Sequence, residues 1–252
     1  MAKRSRRAGH GRVLAGGVVV AAVAAATTIW TAHAGLSDSA EERPAAPKRP
    51  AAVSPAIAHA SDAGPRGVNI TIDDGPDPRW TPEVLEVLAE HKVKATFCVV
   101  GPQAEAHPDL VKAIVAAGHR LCDHSVEHDT TMDTKSKSYQ AQQIVDAEKS
   151  ITRASGGVRP LYYRAPGGAF TPYSRQLAAS HGMRPLGWNV DTKDFERPGA
   201  DAIVKTVKEQ IAGGPTLLFH DAGGDRSQTV EALREILPWL KDQGYVFGFP
   251  ER

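Results

Sequence analysis

The chain has 252 residues, of which 41% are hydrophobic and 23% charged, and its formal net charge at pH 7 is +1. It has no stripe of basic residues and no alternation of basic with aromatic residues, so the charge pattern does not predict binding to nucleic acid. It also lacks a heptad pattern or a large apolar face, and we therefore expect a monomer without a protein partner.

Residues 1–34 have the layout of a secretory signal peptide. The first twelve residues include five basic ones and no acidic one, residues 13–29 carry no charge, and Ala32-His33-Ala34 matches the A-x-A cleavage pattern. An uncleaved signal anchor is the alternative, because the apolar stretch approaches the length of a membrane span. In either case we expect the rest of the protein to work outside the cytoplasm, secreted or tethered to the membrane.

Residues 35–66 contain five prolines and nine alanines without periodicity or aromatic residues, so we expect a disordered linker there. Residues 67–252 have the length of a single domain with its own core. Hydrophobic periodicity predicts strands in this part at residues 68–73, 94–100, 119–123, 161–165, 185–191, 216–220 and 245–249. It predicts helices between them at residues 82–91, 108–117, 138–154, 171–180, 200–212 and 229–242.

This alternation of strands and helices predicts a parallel sheet covered by helices, which fits either a distorted (β/α) barrel or an open doubly wound sheet. Polar residues fall at the carboxyl ends of five different predicted strands. In a barrel these ends converge on one face, whereas in an open sheet they spread along an edge. The sequence therefore favours the barrel, with these residues on one face: Asp73, Asp74, His124, Arg164, Asp191, Asp194 and His220.

Two of these strand ends carry candidate metal ligands. Asp73 and Asp74 end the first strand at the break Gly75-Pro76, and their like charges would repel unless one bound a metal and the other a proton. His124 and His128 are four residues apart, which places both on one side of a helical turn, where they can reach one ion. Two histidines and one aspartate leave positions on zinc open for water and substrate, as in catalytic sites.

Residues 124–128 also match the H-x-x-E-H pattern of inverzincin metalloproteases, with Glu127 as the base. That alternative requires a long continuous helix, and the following Asp129-Thr130-Thr131 argues against one.

Two further strand ends carry candidate catalytic residues. Arg164 would orient a carboxylate and keep it ionised, and Gly167-Gly168 would let backbone N–H groups approach a substrate oxygen; a structural ion pair and a plain loop are the alternatives. His220, paired with a buried aspartate, could protonate a leaving group. Leu218 and Trp188 could line a small apolar pocket or belong to the ordinary core.

Cys98 and Cys122 lie in the part of the chain that we expect to be exported. A disulfide between them would stabilise the fold by about 3–4 kcal/mol. Two buried, unlinked cysteines are the alternative, because both lie in apolar strand-like runs.

Taken in order, these motifs resemble the NodB-homology polysaccharide deacetylases, carbohydrate esterase family 4, over roughly residues 67–249. The resemblance rests on Thr71-Ile72-Asp73-Asp74-Gly75-Pro76, His124-Ser-x-x-His128, Arg164-x-Pro166, Asp191-x-x-Asp194-Phe195 and Leu218-x-His220. It implies a distorted (β/α) barrel of about seven parallel strands and metal-dependent removal of acetyl groups from sugars.

The resemblance also implies a role for each residue. Asp73 is the general base, oriented by Arg164, and His220 is the general acid, tuned by Asp194. The metal is held by Asp74, His124 and His128, and a ligand set of this kind would accept zinc or else cobalt or nickel. The implied substrate contacts are the backbone N–H of Gly167 toward the oxyanion and the side chain of Leu218 toward the acetyl methyl group. We expect Trp188 and Phe195 to add apolar walls to the substrate site.

Two positions depart from the family pattern, since Gly167 stands where many members have tyrosine and Phe195 where many have tryptophan. These two departures do not affect the expected acid, base or metal ligands. We expect them to influence which substrate the protein prefers. The implied substrates are N-acetylated sugars of peptidoglycan or chitin oligomers, with O-acetylated xylan as the alternative. An inactive glycan-binding barrel is a further alternative, which the complete set of acid, base and metal-ligating residues disfavours.

Overall fold

The computed structural model describes residues 51–252. The predicted signal peptide and the first part of the predicted linker lie outside these residues, so both stay predictions. Within the described residues, no helix combines the length and the apolar character needed to cross a membrane.

Strands and helices alternate along the described residues, as the sequence predicts. The strands are β1 (Gly67–Asp73), β2 (Ala95–Val99), β3 (Arg120–Asp123), β4 (Tyr162–Tyr163), β5 (Arg184–Pro185), β6 (Val190–Asp191), β7 (Thr216–His220) and β8 (Val246–Gly248). The helices are α1 (Trp80–Glu90), α2 (Gly101–Ala106), α3 (Pro108–Ala116), α4 (Lys137–Ala154), α5 (Pro172–Ser180), α6 (Ala200–Gln210) and α7 (Ser227–Asp242). All six predicted helices are confirmed; the additional helix, α2, is too short to give a periodic hydrophobic pattern.

The sheet is parallel throughout, in the order β5-β4-β3-β2-β1-β7-β6, and β8 also pairs with β1. The register aligns Asp73 of β1 with Cys98 of β2 and His220 of β7, so the carboxyl ends of the central strands are level. β5 and β6 occupy opposite ends of this order although only residues 186–189 separate them in the chain. The sheet therefore curls into a distorted, incompletely closed (β/α) barrel, which confirms the predicted fold.

The single strand predicted over residues 185–191 is wrong. The chain pairs with β4 at Arg184–Pro185, leaves the sheet, and pairs with β7 at Val190–Asp191. The apolar run looks continuous in the sequence because its residues are buried or half-buried along the crossing from one end of the curled sheet to the other.

Part of the predicted linker also differs from expectation, because residues 51–66 lie against the barrel. The Ala58 N–H donates to the Pro185 carbonyl (2.8 Å), and the Ala58 carbonyl accepts from the Gly187 N–H (2.9 Å). Further along the same segment, Ser61 forms an antiparallel bridge with Pro250. The outer edge of β5 and the crossing after it have backbone groups that no strand satisfies, and this segment supplies partners for them.

Three apolar clusters hold the described residues together; one of them packs around Met132, Ile144 and Tyr163, and the other two form layers on opposite faces of the central strands. The larger one packs outward-facing residues of the central strands, such as Ile72 and Phe219, against the inner faces of the helices, including Leu88 and Leu237. The smaller layer lies on the other face of the strands and consists of Cys98, Cys122, Tyr162 and Leu186. Cys98 and Cys122 are register partners on β2 and β3, and a disulfide joins them. Of the two alternatives left open by the sequence, the structure therefore shows the disulfide.

Candidate active site

A cleft of about 460 Å³ opens at the carboxyl ends of the strands. All the residues that the sequence predicts for the site line this cleft except Asp194, which lies behind His220. They lie in the carboxyl-terminal parts of β1 and β7 or in the loops that follow β1, β3, β4, β5 and β6, as expected for a barrel. The predicted residues in the lining are Asp73, Asp74, His124, His128, Arg164, Gly167, Trp188, Phe195, Leu218 and His220.

Arg164 and Asp73 form a fully buried ion pair. Arg164 Nη1 donates to Asp73 Oδ1 at 2.6 Å and to Thr71 Oγ1 at 2.9 Å. Its Nε and Nη2 donate to the carbonyls of Leu186 (3.2 Å) and Gly187 (2.9 Å). Because every edge of the guanidinium is bound, it places a fixed positive charge beside the carboxylate and sets its orientation. Asp73 Oδ2 remains turned toward the cleft.

Asp74, His124 and His128 bring one carboxylate oxygen and two imidazole nitrogens within 4.8 Å of one another. His124 Nδ1 lies 2.8 Å from the Arg164 carbonyl, which can only accept, so Nδ1 carries the proton and Nε2 keeps its lone pair for the cleft. Burial lowers the pKa of His124 and so favours the neutral ring that a metal requires.

Asp74 provides further evidence on the kind of ligand that these residues fit. Its Oδ1 is buried and accepts no hydrogen bond from the described part of the chain, although His128 Nε2 lies 3.1 Å away. Burial alone would raise the pKa of Asp74, but the contact with His128 and the charges of His124 and His220 lower it to about 2. An ionised, buried oxygen facing two imidazoles fits a divalent cation in both charge and ligand type.

The helical turn expected for His124 and His128 is wrong. Residues 124–128 form a loop after β3, in which Ser125 (φ 69°) and His128 (φ 52°) have left-handed backbone conformations. Glu127 turns away from the cleft, and its Oε2 accepts a hydrogen bond from the Tyr139 hydroxyl at 2.9 Å. The inverzincin alternative needs these residues in one helix with Glu127 as base, and the structure contradicts both requirements.

His220 and Asp194 form the second buried pair. His220 Nδ1 donates to Asp194 Oδ1 at 2.7 Å, and Asp194 Oδ2 accepts from the His220 backbone N–H (2.9 Å) and the Thr229 hydroxyl (2.8 Å). Burial by itself would lower the pKa of His220, but the bond to Asp194 and the nearby carboxylates raise it to about 9. The ring therefore holds a proton that it can deliver from Nε2 into the cleft.

The remaining predicted residues form the walls of the cleft. Gly167 has φ 60°, and its N–H donates no hydrogen bond within residues 51–252, so the donor is free to meet a substrate oxygen. Leu218 is buried, Trp188 lies beside the Arg164 guanidinium, and the exposed ring of Phe195 stands edge-on to His220 at 5.2 Å.

Sequence reasoning missed several residues in and around the cleft. Thr130, Lys193 and Arg226 line it, and each lies in a loop whose residues carry no periodic signal. Thr71 could have been found, because it precedes Asp73 by two residues and so faces the same side of β1. Asp221 is buried beside the Asp73–Asp74 pair; burial raises its pKa to about 7.

Comparison with known proteins agrees with this geometry. The sequence profile of the polysaccharide deacetylase family matches residues 60–186. A chitooligosaccharide deacetylase of Sinorhizobium fredii is 37% identical over 196 residues, which span 74% of this chain and 91% of that protein.

Solved structures of polysaccharide deacetylases and of a related pseudoenzyme are also similar to this chain. The crystal structure of a peptidoglycan N-acetylglucosamine deacetylase has a TM-score of 0.72 at 32% identity, covering 77% of this chain and 90% of that one. A pseudoenzyme of carbohydrate esterase family 4 from Bacillus anthracis has a TM-score of 0.71 at 30% identity, covering 78% and 68%. The two deacetylases above are hydrolases that act on amide C–N bonds, and this chain belongs to their family, the polysaccharide deacetylases of carbohydrate esterase family 4.

Proposed function

We propose that the protein is a metal-dependent N-deacetylase that hydrolyses the acetamido groups of N-acetylglucosamine units in peptidoglycan or chitin oligomers. This proposal rests on two buried ion pairs at the cleft, Asp73–Arg164 and His220–Asp194. The same cleft contains the possible metal ligands Asp74, His124 and His128. A pseudoenzyme among the structural neighbours shows that the fold alone does not guarantee activity. A glycan-binding barrel would need neither charged pair, so their presence supports an active enzyme.

The residues divide the reaction between them. Asp74, His124 and His128 would hold a divalent ion, zinc or else cobalt or nickel, and when bound this ion would polarise the acetyl carbonyl and lower the pKa of the attacking water. Asp73, fixed by Arg164, takes the proton of that water as general base.

The other side of the cleft completes the reaction. The free N–H of Gly167 donates to the oxyanion of the tetrahedral intermediate. His220 Nε2 then protonates the departing amine while Asp194 stabilises the imidazolium. Leu218 and Trp188 line the pocket for the acetyl methyl group.

The substrate class is proposed from the named relatives, which are deacetylases of chitooligosaccharides and of peptidoglycan N-acetylglucosamine. We further propose that the protein acts outside the cytoplasm, because residues 1–34 have the layout of a signal peptide. Mass spectrometry of the protein made in a bacterial host tests export: a mature N-terminus near residue 35 in the medium supports cleavage. Full-length protein in the membrane indicates an anchor, and full-length protein in the cytoplasm contradicts export.

Acetate release by the purified protein tests the activity. The protein is stripped with a chelator, restored with zinc, cobalt or nickel, and offered N-acetylglucosamine oligomers, peptidoglycan and acetylxylan in parallel. We expect metal-dependent release from an N-acetylated substrate, its loss in Asp73→Asn, and its retention in Glu127→Gln, which alters an exposed acid of the metal-binding loop. Release from acetylxylan alone would favour the O-acetyl esterase, and no release from any substrate with metal bound would contradict the enzyme proposal.

A further inference from the structure

The loop of residues 124–128, which contains the two proposed histidine ligands, has a backbone conformation that is unfavourable without supporting contacts. Ser125 and His128 are in the left-handed region with φ of 69° and 52°. Residues other than glycine avoid this region because the Cβ atom crowds the backbone, so such a conformation persists only when surrounding contacts fix it.

Most of these contacts come from the strands beside the loop or from the loop itself. The His124 N–H donates to the Val99 carbonyl (3.0 Å), and the Ser125 N–H donates to Asp123 Oδ1 (2.8 Å). The His128 N–H donates to Ser125 Oγ (3.2 Å), and the Ser125 carbonyl accepts from the Gly101 N–H (2.9 Å). The N–H groups of residues 126 and 127, between the two histidines, have no partner in this set.

Both of these N–H groups donate to one atom of a distant helix. Gln143 Oε1, in the middle of α4, accepts from the Val126 N–H at 3.1 Å and from the Glu127 N–H at 2.8 Å. Gln143 is only 2% exposed, so water cannot readily take its place. α4 packs against α2 and α5. This packing fixes the position of Gln143 Oε1 relative to the loop.

We propose that Gln143 is a positioning residue for the metal site, holding the loop so that His124 and His128 face Asp74 before a metal arrives. The inference rests on the proposed metal-dependent function and adds to it a residue that touches neither metal nor substrate. Without the amide oxygen, two consecutive N–H groups lose their acceptor and the loop gains freedom to leave its left-handed conformation. Metal affinity should fall because binding would then have to order the loop, and the lost conformational entropy would reduce the binding free energy.

The chain offers closely matched controls on the same helix. Gln140 is equally buried, but its amide binds the Lys135 carbonyl and the Thr171 hydroxyl, away from the histidine loop. Gln142 is exposed, and within residues 51–252 its side chain forms no hydrogen bond with the loop. Replacing either one with methionine changes α4 in the same chemical way as Gln143→Met.

The test measures the dissociation constant for zinc by competition with a chromophoric chelator, using metal-free full-length protein. Gln143→Met should bind zinc about 10–100-fold more weakly than wild type, as found for changes next to metal ligands in other proteins. Gln143→Glu, which keeps an acceptor oxygen, should recover affinity relative to Gln143→Met. Gln140→Met and Gln142→Met should bind as wild type does.

Wild-type affinity in folded Gln143→Met, or an equal loss in Gln140→Met, would overturn the positioning role while leaving the deacetylase proposal intact. A wild-type protein that neither binds metal nor releases acetate would instead refute the proposed function. If Gln143→Met does not fold, amide hydrogen exchange in the metal-free wild type tests the positioning role instead. Slow exchange at Val126 and Glu127 supports a loop fixed before metal binding, and exchange as fast as in an open loop contradicts it.

Discussion

The charge of Asp194 should control both the proton on His220 and the stability of the metal-free protein at alkaline pH. An unperturbed histidine has a pKa of 6.5, and burial would lower it further, but the bond to Asp194 and the carboxylates of Asp73 and Asp74 raise the pKa of His220 to about 9. His220 is only 8% exposed, so little solvent screening applies. The difference between these two pKa values corresponds to about 3 kcal/mol of folding free energy.

The sign of the pH dependence follows from whether the folded or the unfolded state binds the His220 proton more tightly. The folded state holds the His220 proton more strongly than the unfolded state, so the stabilisation is fully present below pH 6.5. It is lost progressively as the pH rises from 6.5 through 9. Asp194→Asn removes the charged acceptor while preserving the size of the side chain, so the pKa of His220 should fall and the loss over this pH range should shrink.

Urea unfolding of the metal-free proteins at steps from pH 6 to 9.5 measures this effect, and an NMR titration of the His220 ring measures its pKa directly. We expect wild type to lose about 3 kcal/mol across the interval through His220 and Asp194→Asn to lose much less of it; Asp221, whose pKa is raised to about 7, adds a loss near pH 7 that both proteins share. His220→Gln serves as the control, because it removes the titrating group and should also flatten the dependence. A wild-type His220 that titrates near 6.5, or equal pH dependence in wild type and Asp194→Asn, would refute the reasoning.

Three further perturbations test other parts of the site. Arg164→Met leaves the Asp73 carboxylate buried without its partner and should cost about 3–5 kcal/mol in urea unfolding, whereas exposed Arg153→Met should cost little; equal costs would contradict the buried pair. Gly167→Ala forces alanine to φ 60° with its Cβ 3.0 Å from Thr130 Cβ, which should cost about 1–2 kcal/mol and slow acetate release. Gly157→Ala, with positive φ but open space, should leave the rate unchanged, and a slowed rate there would argue against a local effect at Gly167. Reducing the Cys98–Cys122 disulfide should lower the unfolding free energy by about 3 kcal/mol, and an unchanged urea midpoint would show that the bridge contributes nothing.

The position of the active-site face could be predicted because it depends on local patterns. Alternation by two residues identifies a strand, and in parallel strands linked by helices the residues after each strand meet on one side. Asp73, His124, Arg164 and His220 therefore meet in the structure as the sequence indicates. The expected helical spacing of His124 and His128 failed because the loop takes its shape from hydrogen-bond partners elsewhere in the chain.

Partners that are distant in the chain explain the other differences. Nothing in the composition of the proline- and alanine-rich segment marks Ala58, whose backbone pairs beside Leu186 only because the curled sheet leaves that stretch without a strand. The same crossing separates β5 from β6 within an apolar run that is continuous in the sequence. Gln143 resembles any polar residue of a surface helix until the fold brings it under the histidine loop.

The sequence by itself thus determined the order of strands and helices apart from β5, β6 and α2, favoured the barrel, and identified the residues of the site, because each depends on periodicity or on residues next to a strand end. The tertiary structure decided which backbone groups meet, the disulfide between Cys98 and Cys122, and the conformation that turns His124 and His128 toward Asp74. These features depend on hydrogen bonds and contacts between segments far apart in the chain, and folding creates such contacts without leaving a local pattern to predict them.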